Sequence, residues 1–382
     1  MVFFSIVHLF LAGLVFADER NYFKTVYLFR NGNNLDAVHT GDAHPDFDSY
    51  RDSTYGHVIQ YLHGTEFNYW EDPIFKFIYG FHMPLFAYIS GYLMNGSFKR
   101  SSVGKLVGKR AKQLLIPTVA WALVLTVLDV ILNFLTHDSN SLSWIAGRFI
   151  SRTVNDLWFL KAMFIACIVV VFIEKCCKGH WAVYVICTLL TLLLPTMFDF
   201  NLYGFVLPFF MLGFKVGGVA KKWSENQNQY KQIGVFTISL IVYIILLLFF
   251  HKDNYIYTTG LSVLNSEKGF AAQLGIDVYR AVVALVGCIM VLVGSTLMTK
   301  HASWITTVSC KTMTIYVITA SVFTYIPQLM IRAGIKTVLG SFPAVITDIV
   351  ALIPISILLT LFALLAERII VKLKLGKILL GK

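Results

Sequence analysis

Charged side chains are scarce in this sequence. Asp, Glu, Lys and Arg make up 14% of its 382 residues, while 57% are apolar. A soluble domain of this length could neither clothe its surface with so few charges nor hide so much apolar area. Cysteine is sparse as well. Cys167, Cys176, Cys177, Cys187, Cys288 and Cys310 lie mostly within or at the ends of apolar runs, and none is in the one long polar segment. That pattern excludes a disulfide framework. Cys176, Cys177 and His180 have poor spacing for zinc, and the "HTGDAHPDF" cluster alone is weak evidence for any metal, so no metal site is expected. Polar linkers are also wanting: apart from residues 18–72 nothing divides the chain, and a single domain over 1–382 is expected. No internal repeat stands out, which counts against transporter folds built from repeated halves.

What the chain has in abundance is apolar runs of roughly 20 residues, each able to cross a ~30 Å hydrocarbon core. The expected fold class is all-α: a polytopic integral membrane protein of about ten transmembrane helices. They are placed at 2–17, 73–94, 114–136, 157–174, 181–198, 202–219, 233–250, 274–298, 306–328 and 342–366. The formal net charge of +11 would raise nucleic acid as a partner for a soluble protein. Here it follows membrane topology, and the partner is the lipid bilayer, with no nucleic acid.

Segment 95–113 carries Lys99, Arg100, Lys105, Lys109, Arg110 and Lys112. The tail 367–382 carries Arg368, Lys372, Lys374, Lys377 and Lys382. Loops of the opposite set are sparser in bases, among them Arg148 and Arg152. The positive-inside rule puts 95–113 and the tail in the cytoplasm, and an even number of spans puts the N-terminus there too. The mixed apolar and basic tail is expected to lie on an anionic inner leaflet. Residues 18–72 then form an extracytoplasmic loop. Its carboxylates, histidines and aromatics, Trp70, Glu71 and Asp72 among them, suit either a sugar-binding surface or a plain solvated loop. The opening "MVFFSIVHLFLAGLVFADE" has the look of a signal peptide without its basic region, and is expected to stay as a first span.

Polar residues within spans are few. His82 sits mid-span in "GFHMPLFAYISGYL", with Pro84 beside it to loosen the helix; His8 lies in the first span. Lys161, Asp129, Asp277, Arg280 and Asp348 lie within or near the ends of others. A satisfied interhelical hydrogen bond explains any one of them. Two histidines near the midplane favour a reaction or a proton path. Acyl transfer to a hydroxyl needs a group that takes the hydroxyl proton, or one that accepts the acyl group itself, and imidazole can do either. A coenzyme A thioester would need cations for its phosphates. "KRSSVGKLVGKRAKQ" supplies them directly after the His82 span, although positive-inside bias accounts for the same charges.

The stretch around His82 resembles the signature of the membrane acyltransferase 3 family, close to its fucose-4-O-acetylase-like and polysaccharide O-acetyltransferase members. "KRAKQLLIP" (109–117) resembles the family's basic segment and the proline opening its third span, and "LWFLKAMF" (157–164) its W-F-L motif. "LPFFMLGFKVG" (207–217) and "TMTIYVIT" (312–319) resemble later motifs, with Thr319 where the family has histidine. The first-span histidine matches His8, but the arginine that precedes it would fall before Met1, so the chain reads as N-terminally short. The family's paired arginines reduce here to Arg110, with Gln113 in the second place.

The resemblance implies transfer of an acetyl group from acetyl-CoA, the acyl donor, to a hydroxyl of a cell-surface sugar or polysaccharide acceptor. His82 and His8 would be catalytic, relaying the acyl group or a proton. Arg110, Lys109 and Lys112 would hold coenzyme A phosphates. Trp158 would shape the pocket, and Arg148 and Arg152 would face the acceptor. A sugar or glycolipid transporter or flippase, or an inactive partner in envelope polysaccharide assembly, fits the same composition.

Overall fold

The structure is a computed structural model that describes residues 69–135, 141–195, 200–264, 266–298, 311–323 and 353–381. Among them no strand occurs, and most lie in helices. A backbone immersed in lipid must satisfy its own hydrogen bonds, and the helix does this within one segment.

The helices are α1 (Pro73–Tyr79), α2 (His82–Arg100), α3 (Val103–Leu135), α4 (Leu142–Asn155), α5 (Trp158–Cys176), α6 (Trp181–Thr191), α7 (Phe200–Asn226), α8 (Gln229–Leu248), α9 (Ile256–Thr259), α10 (Phe270–Met298), α11 (Thr312–Phe323), α12 (Ile353–Lys372) and α13 (Gly376–Leu379). Four stretches are long and apolar enough to cross a membrane: Val103–Phe134, Phe200–Ala220, Gln229–Leu248 and Phe270–Leu297. The pair α4 and α5, bent by 55° at a short break, makes a fifth if taken as one span. The sequence expectation of about ten spans is therefore matched only in part among the described residues, and the expected span 2–17 and parts of 306–328 and 342–366 lie outside them.

Four expectations change on physical grounds. The 181–198 span contracts to α6, an 11-residue apolar helix. The 95–113 segment is not a loop: α2 runs to Arg100, α3 starts at Val103, and only Ser101 and Ser102 separate them. Pro117, expected to open the third span, lies inside α3. The tail does not simply lie on a leaflet. Trp121 Nε1 donates to the Leu379 carbonyl at 2.9 Å, and Leu380 is buried, so α13 docks on α3.

The core is built around α2, which packs on α7, α10 and α5. A helix walled by protein need not be apolar towards lipid, which is why α2 lacks the hydropathy of a span. Its closest neighbour is α7, and two glycines permit the approach. A Cβ at Gly91 would stand 2.0 Å from the Phe210 carbonyl oxygen, and one at Gly213 1.8 Å from that of Tyr88. Small residues at such crossings let backbones touch where no hydrophobic force drives helices together in lipid. Asn95 Nδ2 then donates to the Phe214 carbonyl at 2.6 Å, fixing the register.

Candidate functional site

The site starts at Asp72. Its carboxylate accepts from Phe75 N at 2.8 Å, and Pro73 follows as the first helical residue. An N-cap acid followed by proline is a strong helix start. Trp70 is buried and accepts at its carbonyl from Tyr255 Oη at 2.8 Å. These residues of the expected loop are thus a helix cap and a core side chain. The rest of that loop, to residue 68, lies outside the described residues.

A helix continued from α1 into α2 would press the Pro84 ring against the Gly80 carbonyl four residues earlier. The chain instead breaks at Gly80 and Phe81 and restarts at His82. So His82 is not mid-span within one helix but the first residue of α2. Pro84, in the first turn, forfeits no intrahelical bond, because those N–H groups have no helical acceptor anyway.

His82 is fully buried. Its Nδ1 lies 3.2 Å from the Ile78 carbonyl oxygen. A carbonyl only accepts, so Nδ1 carries the proton in the neutral ring and the lone pair sits on Nε2. Nε2 is buried and has no hydrogen-bond partner among the described residues. The ring of Tyr79 meets the imidazole edge-on, with centroids 4.8 Å apart. Tyr79 in turn contacts Tyr255 at 5.4 Å and Tyr257 at 5.5 Å. These tyrosines belong to the segment between α8 and α10, which Arg280 organises. Its guanidinium donates to the carbonyls of Asn254 (2.8 Å), Gly260 (2.8 Å) and Tyr255 (3.3 Å), to Thr259 Oγ1 (2.8 Å) and to Asp277 Oδ1 (3.0 Å).

At the other end of α2 lies the basic start of α3. Lys109 and Lys112 are exposed, three residues apart on one helix face. Arg110 is half-buried and within electrostatic reach of Cys167 on α5. None of the three has a hydrogen bond or ion pair among the described residues. Two contacts show that α2 and α5 run side by side in the same direction: Phe86 against Phe159 at 6.2 Å, and Lys175 Nζ over the Phe98 ring at 5.4 Å. From Cys167 up α5 to Phe159, and from Phe86 back to His82, is roughly 18 Å of helix rise at about 1.5 Å per residue.

Arg148 and Arg152 are not surface arginines. Arg152 is fully buried, with Nε 2.9 Å from Asp129 Oδ2 and Nη2 3.0 Å from Oδ1. Its Nη1 reaches Asp156 Oδ2 at 3.2 Å, and Arg148 Nε reaches Asp129 Oδ2 at 3.0 Å. Desolvated guanidinium needs this pairing. Lys161 closes the group by donating to the carbonyls of Thr153 (3.0 Å), Val154 and Asp156 (2.8 Å), which caps the end of α4 at its bend into α5. Trp158 opens α5 and is buried, with Phe159 edge-on at 5.8 Å, so it is not an interfacial belt residue.

The structure thus gathers Arg148 and Arg152 around Asp129, places Trp158 beside that group, and keeps Lys109, Arg110 and Lys112 on one stretch of α3. His8 lies outside the described residues. Asp156 and the tyrosines around His82 were missed from sequence; the one signal for Asp156 was its place directly before "LWFLK". Among the described residues no group of three His, Cys, Asp or Glu could hold a metal ion.

The profile of a known acyltransferase family, described as an acyltransferase domain, matches residues 37–368. The chain is also similar to Nodulation protein NolL of Sinorhizobium fredii, 28% identical over 214 residues, or 56% of this chain and 57% of that protein. Nodulation protein NolL of Mesorhizobium japonicum is 31% identical over 216 residues, 56% of each chain. The chain spans about half the length of these curated relatives. No solved structure matches.

Proposed function

This chain belongs to the acyltransferase 3 family, and on that premise we propose that it is an integral membrane O-acyltransferase that moves an acetyl group from acetyl-CoA to a hydroxyl of a cell-surface sugar or polysaccharide precursor. The observation that carries the reading is His82: a buried imidazole whose Nδ1 is engaged by a backbone carbonyl and whose Nε2 has no partner among the described residues. That is the form of a general base held ready for a hydroxyl proton.

The residues present fit the acyl donor. Arg110 is half-buried without a carboxylate partner, and Lys109 and Lys112 flank it, exposed. Guanidinium and ammonium donors of this kind hold phosphates by charge-assisted bonds. They stand apart from His82 by a distance that an extended pantetheine arm is built to bridge. When bound, acetyl-CoA would supply an acetyl group already activated as a thioester.

His82 Nε2 takes the proton of the acceptor hydroxyl as its oxygen bonds to the acetyl carbon and the carbon–sulfur bond breaks. The imidazolium then returns that proton to the departing sulfur. His8 is the second relay group of this reading. Trp158 walls the site, while Arg148 and Arg152, spent on Asp129, position the α4–α5 bend. The basic start of α3 lies in the cytoplasm, where acetyl-CoA is available, with both termini on that side of the cell membrane.

Inverted membrane vesicles containing this protein, supplied with acetyl-labelled acetyl-CoA, test the reading. Label should enter glycan with this chain and not with vesicles lacking it. Arg110→Ala should raise the acetyl-CoA KM about tenfold or more with little change in kcat, as loss of a charge-assisted contact to bound donor requires. An absence of label despite proper insertion would contradict acyl transfer.

A further inference from the structure

The buried charge group at the α4–α5 bend leaves one atom unused. Asp156 is buried, 5% exposed. Its Oδ2 accepts from Arg152 Nη1 at 3.2 Å, but its Oδ1 is buried and has no hydrogen-bond partner among the described residues. A carboxylate oxygen has lone pairs for more than one donor, and leaving it dry in the interior is costly. The surroundings do not let it turn away. Arg152 holds one oxygen, Lys161 holds the Asp156 carbonyl, and the next residue, Leu157, sits in the left-handed region at φ 50°, ψ 36°. A non-glycine residue persists there only where its neighbours impose it.

The position of this free oxygen is specific. Phe86 and Phe159 pack against each other, and the two helices run in the same direction from that contact. His82 lies one turn before Phe86, and Asp156 lies three residues before Phe159. The Nε2 of His82 and the Oδ1 of Asp156, both without a hydrogen-bond partner among the described residues, therefore belong to residues that precede the Phe86–Phe159 contact by four and three positions. One is a lone pair that can take a proton, the other a charged acceptor that can hold a hydroxyl.

Asp277 also has an unpartnered oxygen, Oδ2. It belongs to α10, outside the α2–α5 pair. A Cβ at Gly80 would meet Val283 at 3.1 Å, and Asp277 lies six residues earlier on α10, roughly 9 Å further from α2 at about 1.5 Å per residue. Its cluster is given over to the segment between α8 and α10.

We propose that Asp156 is an acceptor-binding residue: its Oδ1 takes a hydrogen bond from a hydroxyl of the sugar acceptor and so places a hydroxyl of that sugar at His82. Arg152 and Lys161 are positioning residues for it. This rests on the acyl-transfer reading above and adds to it the group that selects a polyhydroxylated acceptor.

The test uses the same vesicles and acetyl-labelled acetyl-CoA, with the unaltered chain, Asp156→Asn, Asp156→Ala and Asp156→Glu. Transfer to glycan should fall at least about tenfold in Asp156→Asn and further in Asp156→Ala, as loss of a hydrogen bond to a charged group requires. Asp156→Glu should recover part of the loss. The KM for acetyl-CoA and the melting temperature of the Asn variant in detergent should stay within error of the unaltered chain, because Arg152 keeps Asp129. Full transfer by Asp156→Ala would overturn the assignment alone. So would a loss accompanied by a shifted donor KM and a lowered melting temperature, which marks a purely structural residue. No transfer by the unaltered chain would overturn the acyl-transfer reading and this inference with it.

Discussion

Arg152 and Arg280 are both buried arginines, each within reach of an aspartate on the same helix or at its end, and they serve different ends. Arg280 donates to three backbone carbonyls, a threonine hydroxyl and Asp277, all within one local neighbourhood. It fixes a short irregular segment whose carbonyls would otherwise be unsatisfied in an apolar setting. Arg152 spends its donors on two carboxylates from different places in the chain, Asp129 on α3 and Asp156 at the α4–α5 bend. It ties two elements together and leaves one Asp156 oxygen without a partner among the described residues. What a buried arginine does is read from what accepts its protons. Carbonyl partners mark a device for shaping a loop, and a shared carboxylate marks a device for placing charge.

That contrast can be broken experimentally. The largest effect is expected from Arg280→Met, which strips the segment after α8 of its donors and leaves Asp277 unpaired. Thermal unfolding in detergent should show a loss of about 3–5 kcal/mol, the usual result of removing one partner of a buried pair. Stability close to that of the unaltered chain would mean the segment holds itself. Asp129→Asn should cost about 3 kcal/mol by the same measurement, because the charged acceptor that Arg148 and Arg152 share is lost and Arg152 keeps only Asp156 as a carboxylate. If it costs nothing, the α3–α4 tie is not electrostatic.

Smaller effects sharpen the comparison. Lys161→Met should destabilise by about 1–2 kcal/mol, since three carbonyls at the bend lose a charged donor on a half-buried side chain. It should lower transfer as well, through Asp156. Asp72→Ala should cost about 1 kcal/mol, the usual value of an N-cap. Combined with Arg280→Met, it should show non-additivity, because Trp70 and Tyr255 join the two regions. Strict additivity in the double variant would separate them.

Much of this was legible in the residues. Apolar runs announced a helical membrane protein, and "GFHMPLFAYISGYL" announced both the histidine and the family. The break before His82 was legible too: Pro84 disfavours a helix continued from four residues upstream, and Asp72 followed by Pro73 is a helix start. Reading 73–94 as one apolar run passed over both signals, because hydropathy counts side chains and ignores the backbone. Other features could not be read. Asp129 and Arg152 are 23 residues apart on different helices, so no periodicity reveals their pairing. The central place of α2 depends on Gly91 and Gly213 meeting each other's backbones, a property of the assembled pair. Arg148 and Arg152 read as surface charge because a positive loop and a buried ion cluster have the same composition.

The most direct measurement concerns His82. His82→Ala and the unaltered chain, inserted in vesicles to equal levels, are compared for transfer of label from acetyl-CoA to glycan. Loss of transfer by a factor of about a hundred or more, with acetyl-CoA KM and melting temperature unchanged, is expected if Nε2 takes the hydroxyl proton. Transfer at the unaltered rate would contradict the role given to His82.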